Sequence, residues 1–153
     1  MNFPVAKYYL RVLAFFVVVL LFCQGQLLGQ PKNTQVCLKG KCFEVEVART
    51  IGQRCRGLSG RKFLPQNKGM LFVFDQPDRH GFWMNEMMLP LDIIWIDKDK
   101  KIVFISKNNQ PCTKNSCPSV YPVSPAVWVL EVNAGAAESL GLAEGEQVQI
   151  DIP

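Results

Sequence analysis

Three acids sit close to apolar runs, Glu86, Asp92 and Glu131. Two carboxylates facing one bond, one protonated and one ionised, are the equipment of glycoside hydrolysis. Arg56, Arg61, Trp83 and Asn85 add cationic, aromatic and amide groups. Aromatic and charged side chains converging at strand ends suit a polar ligand. These seven residues therefore form the candidate ligand-binding surface. The same groups have a plainer use, because an acid at a strand end more often caps a helix or pairs with arginine. Asp92 or Glu131 with Arg56 or Arg61 is such a structural pair. No G-x-S-x-G, P-loop or H-E-x-x-H pattern occurs. The binding reading leads and the hydrolase reading is its alternative, with no catalytic residue assigned.

The remaining chemistry lies in sulfur and in one histidine. Cys37 and Cys42, and again Cys112 and Cys117, share a C-x4-C spacing. Lys39-Gly40 reads as a two-residue hairpin turn, which places Cys37 opposite Cys42. Both pairs are expected to be disulfides, each closing a small ring that contributes about 2 kcal/mol. A four-cysteine zinc site and a thioredoxin-like pair are weaker readings, since zinc pairs are usually closer and no C-x-x-C occurs. Cys55, between Arg54 and Arg56, is left without a partner. It reads as a small residue packed under a helix, with a reactive thiolate, or a dyad with His80, as the rival. His80 is the single histidine, which excludes any metal site needing two. Met70, Met84, Met87 and Met88 cluster in sequence and offer soft ligands for Cu(I). Core filling is the preferred reading, because Met84 and Met87 point to opposite faces of a strand. No metal and no cofactor is expected.

The N-terminus bears on compartment. Lys7 and Arg11 precede an unbroken apolar run, Val12 to Phe22, followed by small residues. That is the layout of a signal peptide, or of a short N-terminal membrane anchor, over residues 1–29. Cleavage after Gly25 or Gly29 fits, and lipidation at Cys23 is disfavoured by Phe22 before it. Residues 30–34 read as a linker and 35–153 as one β-rich domain. Export to the periplasm or cell envelope, possible tethering included, follows as the expectation. The net charge of +4, from 17 basic and 13 acidic residues, argues against nucleic acid as a partner. It falls to about +2 without Lys7 and Arg11.

These residues need elements to position them. "QVCLKGKCFEVEVA" alternates as a half-buried hairpin, and Thr50 with Gln53 forms a capping box for a short helix over 51–57. "GMLFVF" (69–74) and "GFWMNEM" (81–87) read as strands joined by a polar loop. "LDIIWID" and "KIVFIS" are apolar at nearly every position and predict a hairpin buried on both faces. "AVWVLEV" is a third such strand, after which Asn133 caps a helix over 134–140. "EGEQVQIDI" closes the chain as a strand. The pattern predicts a mainly β domain, a small closed barrel or β-sandwich of about eight short strands with two short helices.

Several landmarks, in this order, resemble the domain-of-unknown-function 192 family: Arg56-Gly57-Leu58, Arg61, Gly69-Met70, Phe82-Trp83-Met84, Pro90-Leu91-Asp92, and Val129-Leu130-Glu131-Val132 with Gly135. The similarity spans about residues 43–150. The family usually reads Lys-Asn-Thr where this chain has Asn85-Glu86-Met87. The resemblance implies a compact, mainly β fold with short helices, and it implies no activity, cofactor or substrate. The expected function is an exported envelope domain, non-catalytic, binding a small ligand or another envelope component. A hydrolase using strand-end acids and methionine-based copper handling stand as alternatives.

Overall fold

The computed structural model describes residues 34–113 and 116–152. The signal-like segment 1–29, Cys23 and most of the linker lie outside the described residues. Among the described residues, nine strands and two short helices are formed, in the order β1 Gln35–Leu38, β2 Lys41–Ala48, α1 Ile51–Arg56, β3 Lys68–Asp78, β4 Phe82–Trp83, β5 Leu91–Ile96, β6 Ile102–Asn109, β7 Ser119–Val120, β8 Ala126–Asn133, α2 Ala136–Ser139 and β9 Val148–Asp151. Among the described residues no helix is long and apolar enough to cross a membrane.

Seven strands make one sheet in the order β6-β5-β8-β3-β2-β1-β9, while β4 and β7 pair separately. All pairings are antiparallel except β2 with β3, whose parallel crossover carries α1. The sheet curls into a half-barrel. Its two edges approach at one end, where Lys101 bridges Gln147. The expected mainly β class with two short helices is thus borne out. The barrel is half-formed, because the edge strands β6 and β9 meet only at one end, where Ile102 N also donates to Glu146 O and Val148 N to Lys100 O.

The hairpin turn is as the sequence demands. Lys39 and Gly40 both have positive φ, 47° and 80°, the geometry of a type I′ turn. Cys37 then faces Cys42 across the ladder with Cα atoms 4.0 Å apart, and the two are joined. Cys112 and Cys117 are joined as well.

Curling gives the sheet two apolar faces with a core on each. The concave face carries Val36, Leu71, Ile94, Ile96, Leu130 and Val132. The convex face carries Met70, Phe72, Leu91, Ile93, Trp95 and Val129, covered by Leu58, Met84 and Met87. Fully burying one such side chain stabilises by about 1.5–3 kcal/mol, which is how a chain with so little helix holds together. The preferred core-filling reading of Met70, Met84 and Met87 holds, whereas Met88 is exposed.

Four expectations need correction. The hairpin of β5 and β6 is not buried on both faces: β5 is wholly buried, but β6 has one neighbour and is half-exposed. The strand over 81–87 is only Phe82–Trp83, because the chain turns at Glu86, whose φ is 57°. The loop over 75–80 is in good part strand, since β3 runs on to Asp78 past a register shift after Val73. Asn133 does not cap the second helix. It stays in β8, opposite Leu91, and its amide donates to Leu64 O at 2.9 Å. Gly135 takes the cap position of α2 instead, with no side-chain cap of its own.

Candidate functional site

Strand periodicity decides where the acids go. On β8, Val129 and Glu131 point to the convex face, and Leu130 and Val132 to the concave one. On β5, Ile93 is convex and Ile94 concave. The register sets Glu131 beside Ile93 on β5 and Met70 on β3, and sets Asp92 beside Val132. Asp92 and Glu131 therefore lie on opposite faces of the sheet. They cannot act as a carboxylate pair.

Asp92 is fully buried and fully employed. The Asn108 backbone N–H donates to its Oδ1 at 2.8 Å, and the Ala137 N–H at the start of α2 donates to its Oδ2 at 2.8 Å. It fixes a β6 residue in the left-handed region, Asn108 with φ 50°, and supplies the anion that α2 lacks from its own cap.

Glu131 is 4% exposed, and its Oε2 has no hydrogen-bond partner among the described residues. Desolvation by burial pushes its carboxyl up to about 8. It lies in the wall of a cavity of about 250 Å³ between the convex face and α1. Phe72, Phe74, Phe82 and Trp83 line the same cavity with Met87, and Arg54, Cys55 and Arg56 contribute from α1.

A six-residue helix is marginal alone, so α1 needs anchors. The capping box forms as expected, with Gln53 N donating to Thr50 Oγ1 at 3.2 Å and Thr50 N to Gln53 Oε1 at 3.0 Å. Arg54 reaches across to donate to Val73 O at 3.0 Å and lies 5.0 Å from the Phe74 ring centre. His80 stacks on Phe74 with centroids 3.5 Å apart. Leu58, just past the helix, is buried. These contacts hold Cys55 and Arg56 at the cavity.

The candidate residues divide accordingly. Arg56, Trp83 and Glu131 share the cavity, with Trp83 56% exposed at its edge. Arg61 does not join them. It makes a two-pronged ion pair with Glu46, at 2.5 and 2.6 Å, beside a different cleft. That pair holds the Glu46 carboxyl below its usual range and the Arg61 guanidinium above its own. Asn85 bridges to Cys112 at the second disulfide. Glu86 is exposed and contributes its backbone carbonyl, which accepts from Gly60 N at 3.0 Å. Asp92 is structural. Cys55 is exposed and lines the cavity, which corrects the expectation that it packs beneath the helix. His80 does not line that cavity; its Nε2 lies 3.1 Å from Gln76 O.

Sequence reasoning did not assign Arg54, Phe72, Phe74 and Phe82 to the site. The period-2 alternation of "GMLFVF" puts Met70, Phe72 and Phe74 on one face, but nothing in that segment names Glu131 as their neighbour. Across the described residues, no group of three or more His, Cys, Asp or Glu side chains is arranged to hold a metal ion.

The family DUF192, described as "Uncharacterized ACR", matches residues 34–150. The chain belongs to this family. Among solved structures, the domain is similar to a protein of unknown function from Novosphingobium aromaticivorans DSM 12444, at 33% identity, with a TM-score of 0.68 over 76% of this chain and 81% of that one. It is also similar to a protein of Sinorhizobium meliloti 1021 whose description assigns it provisionally to transcription regulation, at 30% identity and TM-score 0.69 over 76% and 92% of the two chains. No protein of curated function matches. The DUF192 landmarks split between the two roles seen here, with Arg56, Phe82-Trp83 and Glu131 at or in the cavity and Asp92 and Arg61 in the frame.

Proposed function

We propose that this DUF192 member is an exported cell-envelope domain that binds a small ligand in the Glu131 cavity and performs no chemistry on it. The observation that carries the reading is the unsatisfied Glu131 Oε2 in an aromatic-walled cavity. A buried carboxyl without a hydrogen-bond partner costs several kcal/mol in a packed interior. A bound polar group is the simplest return on that cost. The volume of about 250 Å³ suits a metabolite smaller than a drug-sized molecule. Hydrolysis by two acids finds no second carboxylate here, since Asp92 is committed to backbone donors and Glu86 lines no part of the cavity.

Export rests on the basic-then-apolar layout of residues 1–22 and is compatible with both disulfides, which persist in oxidising compartments. Two-dimensional NMR of the purified protein, titrated with a library of small envelope metabolites, tests the binding reading. Ligands that shift Phe82, Trp83 and Glu131 resonances and are recovered unchanged support it. No shift at those residues with any compound, or conversion of a bound compound, refutes it.

A further inference from the structure

Resting on that binding reading, we infer that the cavity takes a small zwitterion, its primary ammonium inward on Glu131 and its carboxylate outward toward Arg56.

The inner end is defined by what Glu131 lacks. Oε2 is buried and accepts no hydrogen bond. Met70 and Ile93 on the flanking strands, and Phe72, Phe82 and Met87 in the cavity lining, carry no side-chain N–H or O–H donor; the lining's neutral donors, the Ser59 hydroxyl and the Trp83 indole, do not bond Oε2. A primary ammonium brings three donors and a positive charge at once. An ion pair formed among apolar walls is screened far less than one in water. Without a cation the carboxyl stays protonated up to about pH 8, so the inner end is neutral at rest and the ligand itself draws out the negative charge.

The outer end is defined by α1. Arg54 is tied to Val73 O and to the Phe74 face. Arg56 is exposed, lines the cavity, and makes no ion pair among the described residues. Two guanidinium groups on one rim repel a simple monocation. A carboxylate on the ligand reverses that repulsion and pairs with Arg56. The ionisable groups that share the cavity with Glu131 are Arg54, Cys55 and Arg56, all on α1, and β3, β4 and β5 present no ionisable side chain there.

The test uses three near-isosteric probes on the whole protein: 4-aminobutyrate, pentanoate, in which a methyl replaces the ammonium, and n-butylamine, in which a methyl replaces the carboxylate. Calorimetry and NMR titration should show 4-aminobutyrate binding at least tenfold tighter than either at pH 8. Its affinity should rise about 50-fold from pH 6 to pH 8, because an acid titrating near 8 goes from about 1% to about half ionised over that range. At pH 7, about 0.9 proton should be released per molecule bound, read from two buffers of different ionisation enthalpy. A Cys55→Ser background removes the thiol from the titration. Glu131→Gln should erase the advantage over pentanoate, and Arg56→Gln the advantage over n-butylamine. Circular dichroism, with pentanoate binding for Glu131→Gln and n-butylamine binding for Arg56→Gln, reports that each variant is folded.

Pentanoate binding as tightly as 4-aminobutyrate overturns the zwitterion and leaves the binding reading intact. Binding of 4-aminobutyrate without proton release at pH 7 overturns the ammonium contact with Glu131. If none of the three probes moves a cavity resonance the zwitterion fails, and the metabolite library above decides whether the binding reading falls with it.

Discussion

Replacing Glu131 by glutamine changes how stability depends on pH, in a direction the structure dictates. Burial raises the Glu131 carboxyl from 4.5 to about 8. Below pH 4.5 the group is protonated in the folded and unfolded chains alike and contributes no slope. Above that, the unfolded chain gives up the proton while the folded chain keeps it. The unfolded state then binds fewer protons, so stability falls as pH rises, until the folded group also ionises near pH 8. The span from 4.5 to about 8, at about 1.4 kcal/mol per pH unit, withdraws about 5 kcal/mol. Glutamine keeps the shape and removes the titration. It also buries an amide with unmet donors, which costs about 1–3 kcal/mol at every pH. The variant should therefore be less stable than wild type at pH 4.5 and more stable by about 2–4 kcal/mol at pH 8. Glu46 and Glu146, held low by Arg61 and Lys39, titrate equally in both proteins and cancel in the difference. Urea unfolding at half-unit pH steps, with disulfides intact, gives both curves. Two profiles running parallel from pH 4.5 to 8 would refute the burial argument.

Asp92→Asn replaces an anion accepting two backbone N–H groups with a side chain that accepts one and opposes the other, so it should cost about 2–4 kcal/mol in the same assay without altering cavity binding; a loss below about 0.5 kcal/mol would remove Asp92 from the frame. Gly69→Ala puts a Cβ 2.6 Å from the Glu131 backbone oxygen and 3.1 Å from Val132 Cγ1. Because the first is main chain on a paired strand, the change should cost at least about 1–3 kcal/mol and shift the Glu131 amide resonance; an unshifted, equally stable variant would contradict this close approach. Protein lacking residues 1–29, unfolded and unreduced, should yield one thiol, that of Cys55, and a count of five would overturn both disulfides. Labelling Cys55 in the native protein with a bulky maleimide should abolish binding in the cavity it lines, and undiminished binding would place the ligand elsewhere.

Much of the framework was legible because it is local. The type I′ turn at Lys39-Gly40 follows from a glycine, which adopts positive φ freely, two residues before the strand residue Cys42, and with it the Cys37–Cys42 pairing. The capping box at Thr50 and Gln53 spans three residues and forms as read. The apolar run of β5 announced a strand buried on both sides. Errors arose where a neighbour, or its absence, decided the outcome. The sequence of β6 resembles that of β5, but an edge position leaves one side to solvent. Asn133 has a good capping side chain, yet strand pairing with β5 holds it and Asp92 caps from a distance.

The sequence by itself determined most of the strand alternation, the Lys39-Gly40 turn, both cysteine pairings and the resemblance to DUF192, since each depends on residues within a few positions or on an ordered set of landmarks. It named Glu131, Asp92, Arg56, Arg61 and Trp83 as candidates but could not sort them. Only the tertiary structure did that. The β3-β8-β5 register sets Glu131 and Asp92 on opposite faces of one sheet. The crossover after β2 lays α1 over one face and not the other. A carboxyl at a strand end is ordinary until long-range pairing decides whether backbone donors or aromatic rings surround it, and that choice separates a structural acid from a binding one.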